Sequence, residues 1–228
     1  MPVTVTLGHH TIDPCSKPYI IAEIGVNHEG SLELARELIK QAKEGGAHAA
    51  KFQSYKAGTL ASKHSPSYWD LAKEKTKSQY LLFKKYDAFN KEEYIELINH
   101  CKKFKVDFLS TPFDLNAVKF LSKFVPAFKI SSSDITNIPL MRACAQYKKP
   151  IILSCGASTI EEIHQAVKII NKAGNNKIIL LHCVLNYPTP IANANMNALD
   201  ILKNSFKDYY IGYSDHITPA DDMPALEI

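Results

Sequence analysis

The stretch PIILSCGASTIEEI, residues 150–163, holds one complete strand-to-helix junction. Its apolar run Ile151-Ile152-Leu153 reads as a strand buried on both faces, the pattern of a parallel sheet covered by helices. Ser154 ends the run and Gly156 follows it. Ser158 and Glu161 then form a capping box for a helix that runs to Gly174. An apolar strand ending in a hydroxyl, a glycine-containing loop and a capped helix make a βα unit.

Outward from this junction the chain repeats the unit. Six further apolar runs end in polar side chains: YIIAEIG at 19–25 (Glu23), AAKFQ at 49–53 (Lys51, Gln53), DFLSTPF at 107–113 (Ser110, Thr111), AFKIS at 127–131 (Lys129, Ser131), IILLHC at 178–183 (His182) and YYIGYSDH at 209–216 (Asp215, His216). Helical stretches separate them. Apolar residues at 35, 38, 39 and 42 mark one helix, stopped by Gly45-Gly46. Asn90 with Glu93 opens the next, Asp114 a third, and Ile138 to Tyr147 a fourth. Met196 to Phe206 is the sixth, and a seventh begins near Pro219. No G-x-G-x-x-G follows the first strand, so an open nucleotide-binding sheet is disfavoured. The expected fold is α/β: a TIM-type (β/α)8 barrel, which gathers all strand ends on one face. Only about seven strands are found, and the chain stops at Ile228 inside what reads as the seventh helix. Either a last strand lies in a continuation or the barrel is left open. Residues 2–12 alternate around Gly8-His9 and predict an N-terminal β-hairpin. The expected division is therefore 1–17 as a hairpin cap and 18–228 as a barrel domain incomplete at its C-terminus.

Composition narrows the function classes. The net charge of +4 is spread over helices. The densest stretch, Lys73-Glu74-Lys75-Thr76-Lys77, includes an acid and reads as a solvated helix surface. The basic patch that nucleic-acid binding needs is missing. Five cysteines without a C-x-x-C pair suit a reducing compartment, with Cys101, Cys144 and Cys183 inside apolar patterns. No apolar run approaches the roughly 20 residues that span a bilayer. A cytoplasmic protein that binds neither membrane nor nucleic acid is expected. The long connection from Gln53 to Asn90 carries Tyr68, Trp69, Tyr80 and Phe83, and reads as a helical excursion over the mouth of the site.

The strand-end residues carry the chemistry. Lys51 and Lys129 each sit in an otherwise apolar strand, and a half-buried ammonium needs an anionic partner or a lowered pKa. Two such groups beside Thr111, Ser131, Ser132 and Ser154 suit a phosphate or carboxylate. The alternatives are an ion pair with Glu23 and a Schiff base on either lysine. Glu23 reads as an acid/base or substrate-hydroxyl group, or as a lysine's ion-pair partner. His182 and His216 read as metal ligands or as hydrogen-bonded structural groups, with Asp215 placed to orient a water or the ring. The other histidines named by this pattern (His9, His10, His48, His64, His100 and His164) read as surface or hairpin residues. Asn186-Tyr187-Pro188-Thr189-Pro190 is a rigid loop that either walls a sugar-sized ligand or merely connects strand to helix.

Together AEIGVNHEG (22–30), KFQ (51–53), STPF (110–113), FKISS (128–132), ILSCG (152–156), HC…YPTP (182–190) and IGYSDH (211–216) resemble the sialic acid synthases, the group that makes N-acetylneuraminate and the related legionaminate and pseudaminate. The likeness runs in register from Tyr19 to His216. It implies condensation of phosphoenolpyruvate with the open-chain aldehyde of an N-acetylated hexosamine, usually N-acetylmannosamine, with release of phosphate by C–O cleavage. A divalent metal, Mn²⁺ or Mg²⁺, polarises the aldehyde in this family. By matching positions, the resemblance gives Lys51, Thr111, Lys129, Ser132 and Ser154 to phosphoenolpyruvate. It gives Glu23 to the sugar or the attacking water, His216 to the metal, and Gln53 and Tyr187 to the substrate pocket. The family's second metal histidine lies in a later Glu-x-His-Phe strand, and its C-terminal antifreeze-like domain completes the partner's site; neither motif occurs in these residues. The expectation is therefore that the isolated chain has little or no synthase activity, with a homodimer left open. The competing expectations are an inactive barrel kept as a binding or assembly module, and a Schiff-base aldolase.

Overall fold

A computed structural model describes residues 2–217. The helix expected near Pro219 lies outside the described residues. Residues up to Ser16 join those from Ala127 onward in one compact unit, and Lys17–Pro126 form a second.

The chain opens with β1 (Val5–Leu7) and β2 (His10–Ile12), antiparallel, with Val5 opposite Ile12 and Leu7 opposite His10. This is the predicted hairpin. Gly8, at φ +56, takes the left-handed turn conformation that a two-residue hairpin loop requires. Val5 and Leu7 are buried while Thr6 between them is exposed, which is the period of a half-buried strand.

In the Lys17–Pro126 unit the order is β3 (Ile21–Gly25), α1 (Leu32–Glu44), β4 (Ala49–Ser54), α2 (Ala57–Leu60), α3 (Gln79–Tyr86), α4 (Lys91–Phe104), β5 (Asp107–Pro112) and α5 (Leu115–Leu121). The strands form a parallel sheet β3-β4-β5. Ser31 caps α1, whose Ala35 and Ile39 are wholly buried, and Gly45 ends it. The Asn90–Glu93 capping box of α4 is present in both directions. The excursion between β4 and α4 is ordered, yet only α2 and α3 within it are helical. The expected solvated helix at 73–77 is instead a non-helical wrap around one indole. Trp69 Nε1 donates to the carbonyls of Glu74 and Thr76, both at 3.1 Å, and Thr76 donates back to the Glu74 carboxylate. A buried indole N–H must find an acceptor, and bent chain supplies two where a helix would have used its carbonyls internally.

The other unit continues with β6 (Phe128–Ile130), α6 (Ile138–Gln146), β7 (Ile151–Ser154), α7 (Ile160–Lys172), β8 (Ile178–His182), α8 (Ala198–Ser205) and β9 (Tyr210–Tyr213). Its sheet is β6-β7-β8-β9, parallel throughout. The described residues thus hold seven parallel strands, in sheets of three and four, the number read from the sequence. The cap of α7 is displaced by one residue from expectation: Thr159 and Glu162 form the box. Ser158 is occupied in the preceding turn, its hydroxyl donating to the Gly156 carbonyl at 3.1 Å. α8 begins at Ala198 rather than Met196, because Asn195 takes a left-handed φ of +49 just before it. Phe52, Leu97, Leu109 and Leu121 are fully buried in one unit, and Phe128, Ile130, Leu140, Met141 and Ile151 in the other. Each contributes about 1.5–3 kcal/mol by leaving water.

Candidate active-site residues

Strand alternation sorts the side chains of the three-stranded sheet. Lys51 and Gln53 share one face of β4 with Thr111 of β5 and Glu23 of β3. Lys51 lies opposite Glu23 in the register and Gln53 opposite Thr111. The Lys51 side chain is only 7% exposed, and its ammonium pairs with the Glu23 carboxylate and donates to Thr111 Oγ1 at 3.3 Å. The ion-pair reading therefore holds for Lys51 and Glu23. Glu23 is half exposed, so solvent reaches the pair from the carboxylate side. The register shifts between Glu23 and Gly25, and Gly25 has φ +56. A Cβ there would stand 3.4 Å from Glu23 Oε1 and 3.7 Å from Gln53 Nε2. Glycine thus leaves these two polar groups flanking a small open space.

Ser110 departs from expectation. Its hydroxyl meets Ser54 Oγ at 2.7 Å on the opposite face, among Phe52 and Phe108, whose rings stack at 5.5 Å. Adjacent strand residues cannot both face the same side, so Thr111 excludes Ser110. Two histidines of this unit are also more than surface groups. His48 Nδ1 accepts the Ile20 N–H at 2.9 Å. His28, which the sequence reading passes over, is 3% exposed and stacks on Phe89 at 4.3 Å. Its Nδ1 accepts the Gly30 N–H at 3.1 Å, and burial holds its pKa below the usual imidazole range. Only the position of His28 just past a strand end could have flagged it.

On the four-stranded sheet Lys129 is 7% exposed and donates to Ser154 Oγ at 2.7 Å and to the Ile130 carbonyl at 3.4 Å. Lys129 sits opposite Ile152 in the register, which puts it on the same face as Ser154. Ser132, also buried, opens a 3₁₀ turn after β6. Its hydroxyl lies 3.8 Å from Cys183 Sγ. Gly156 makes that approach feasible: a Cβ there would stand 2.8 Å from Cys183 Sγ and 3.2 Å from Ser132 Oγ. Burial pushes the Cys155 thiol up to about 12, which removes it as a nucleophile near neutral pH.

The two histidines of this unit divide. His182 is buried, stacks on Tyr213 and lies 2.8 Å from the Ala194 carbonyl through Nε2. A carbonyl only accepts, so Nε2 carries the proton, and His182 is the hydrogen-bonded structural group. His216 Nδ1 lies 2.6 Å from the Val184 carbonyl and must be its protonated nitrogen. Its Nε2 is then a lone-pair donor, 3.5 Å from Ser214 Oγ, with the exposed Tyr187 ring 4.1 Å from the imidazole. Asp215 Oδ1 accepts from Tyr213 OH at 3.0 Å and from the Ile217 N–H at 2.9 Å. The tautomer of His216 is the one a metal ligand adopts when its other nitrogen is anchored to a carbonyl. No three His, Cys, Asp or Glu side chains come together among the described residues. The lone pair of His216 Nε2 is a donor of the kind a divalent ion takes, and the described residues bring no further pair of His, Cys, Asp or Glu side chains beside it.

Comparison with known proteins agrees with the motif pattern. Residues 38–224 match the NeuB family. The N,N'-diacetyllegionaminic acid synthase of Campylobacter jejuni is 41% identical over 204 residues, covering 88% of this chain and 61% of that protein. The N-acetylneuraminate-9-phosphate synthase of Drosophila melanogaster is 35% identical, covering 87% of this chain and 54% of its own. This chain spans somewhat over half the length of these curated relatives. The crystal structure of N-acetylneuraminic acid (sialic acid) synthetase from Leptospira borgpetersenii, in complex with citrate, superimposes with a TM-score of 0.85 at 35% identity, covering 97% of this chain and 73% of that one. The repeated βα units with parallel sheets are thus of the TIM-type (β/α) barrel class, and the chain belongs to the NeuB family.

Proposed function

We propose that the protein takes part in condensing phosphoenolpyruvate with an N-acetylated hexosamine to give a nonulosonic acid and phosphate. The observation that carries this reading is the pair of buried strand lysines, Lys51 and Lys129, each hydrogen-bonded to a strand hydroxyl, Thr111 and Ser154. A buried ammonium held by a hydroxyl neighbour is positioned to bind an anion, which at Lys51 must displace Glu23 or share its cation. The named activities of the relatives supply the reaction type.

In this reading Lys51, Thr111, Lys129, Ser132 and Ser154 bind the phosphate and carboxylate of phosphoenolpyruvate. Gln53 and Tyr187 contact the sugar. The C3 carbon of phosphoenolpyruvate bonds to the aldehyde carbon, water adds at C2, and the C2–O bond to phosphate breaks to leave a ketone. Glu23, half exposed and anchored by Lys51, engages the sugar or takes a proton from the attacking water. His216 presents Nε2 to a divalent cation, which when bound supplies Lewis-acid polarisation of the aldehyde. The free thiols among the described residues fit a cytoplasmic setting, and no described helix is long and apolar enough to cross a membrane.

Phosphoenolpyruvate carrying ¹⁸O in its C–O–P bridge tests the reading. Turnover by residues 1–228 alone is expected to be slight; any phosphate released with N-acetylmannosamine or a related amino sugar is expected to carry the label and to require both substrates. Label retained in the organic product, or pyruvate trapped by borohydride on Lys51 or Lys129, would overturn it; the second result would establish the aldolase.

A further inference from the structure

Away from the strand ends, a groove of about 520 Å³ runs between α6 and α7. Arg142 and Gln146, one turn apart on α6, form one wall. Gln165, Lys168 and Lys172 form the other, at spacings of three and four that place them on one face of α7. Ile169 and Ala173 are the apolar part of the lining, and no carboxylate lines the groove.

Among the described residues, some basic side chains of the other helices are ion-paired, and others, such as Lys102 of α4 and Lys119 of α5, are not. On α1, Lys40 lies 3.8 Å from both Glu37 and Glu44, and Arg36 pairs with Glu96 of α4. On α8, Lys203 faces Asp200 at 3.9 Å. Among the described residues Arg142, Lys168 and Lys172 enter no ion pair. The α7 dipole accounts for Lys172, which stands in the last turn. It does not account for Lys168, before that turn, or for Arg142 in the middle of another helix. Lys168 and Lys172 are like charges at i and i+4, an arrangement that by itself destabilises a helix by about 0.2–0.5 kcal/mol. Three uncompensated cations, two amides and an apolar strip in a groove within the usual ligand range of about 300–1,000 Å³ describe a receptor for an anion.

The geometry points to a second binding site, on the helical layer of this unit, for a small di- or triphosphate that carries an organic group. Arg142 is the bidentate phosphate donor, Lys168 and Lys172 act as point charges, and the two glutamines donate neutral hydrogen bonds. Ile169 and Ala173 take the organic part. This site is independent of the proposed condensation, because none of its residues lies at a strand end.

Calorimetric titration of the protein with inorganic triphosphate and with ATP, in about 0.15 M salt, tests the assignment. Saturable binding is expected for both, tighter for ATP. The triple variant R142Q/K168Q/K172Q is expected to weaken both by at least about tenfold, while Lys129→Ala leaves them unchanged. Thermal unfolding of the triple variant should be unaltered or slightly raised, since like-charge repulsion is removed. Should that variant fail to fold, R142K serves instead: it keeps the charge, loses the planar fork and is expected to weaken ATP binding severalfold. Equal affinity in the variants, loss of binding on Lys129→Ala, or no saturable binding at millimolar ATP would each overturn the site.

Discussion

The two sheets handle the same problem differently. In the three-stranded sheet the buried Lys51 ammonium meets a carboxylate, Glu23, that reaches solvent. In the four-stranded sheet the equally buried Lys129 is met by a hydroxyl, that of Ser154. The first arrangement is self-neutralising: an incoming anion must displace Glu23 or share its cation. The lesson is that two strand lysines of like burial take different partners: Lys51 has a carboxylate across the sheet, and Lys129 has a strand hydroxyl among its partners.

The sharpest way to break this comparison is substrate binding. Lys129→Met and Lys51→Met are each expected to weaken phosphoenolpyruvate by about 30-fold or more, about 2 kcal/mol, as measured by calorimetry. A variant that binds as tightly as the parent would remove its lysine from the proposed anion site. A second test uses the crowding around the four-stranded sheet. Gly156→Ala puts a methyl 2.8 Å from Cys183 Sγ and 3.2 Å from the Cys183 carbonyl, an overpacking expected to destabilise by about 1–3 kcal/mol in urea. Adding Cys183→Ala is expected to recover part of that loss, but not all, because the carbonyl remains.

The ion pair itself predicts an asymmetry of smaller size. Glu23→Gln leaves a buried ammonium with only a neutral neighbour, whereas Lys51→Met leaves a carboxylate that water can solvate. Glu23→Gln is therefore expected to lower the unfolding midpoint more, by roughly 1–2 kcal/mol of difference. The smallest effect concerns pH. Burial lowers the His28 pKa from 6.5, so below that value the unfolded chain binds a proton that the folded chain resists. Stability contributed by the neutral ring is complete above about pH 6.5 and falls as pH drops toward the folded pKa. His28→Phe, which keeps a ring against Phe89, is expected to flatten the stability profile below about pH 6.5 relative to the parent. An unchanged slope would remove His28 as its source.

Much of this was legible without coordinates. Each parallel strand announced itself by an apolar run, and several helices by a cap or an apolar stripe, because these signals are local and period-determined. Ambiguity appeared wherever two local solutions were equivalent. Ser158 with Glu161 and Thr159 with Glu162 both satisfy the capping-box spacing; the turn at Gly156 claims the first hydroxyl and leaves the second as cap. The 73–77 stretch was misread because charge spacing alone resembles a helix surface, while the demand of Trp69 for acceptors is set by three-dimensional proximity. His28 had only its place just past a strand end to mark it, and its stacking partner, Phe89, lies far along the chain.

By itself the sequence determined the alternating α/β architecture, the seven strands, the family motifs and the rule that neighbouring strand residues point opposite ways. Local periodicity suffices for these. Tertiary structure decided which of Ser110 and Thr111 faces Lys51, that Glu23 neutralises that lysine, that Ser154 serves Lys129, and which nitrogen of His216 keeps its lone pair. Those choices depend on register and on groups brought together across strands, and burial makes each mismatch costly enough that only one arrangement survives.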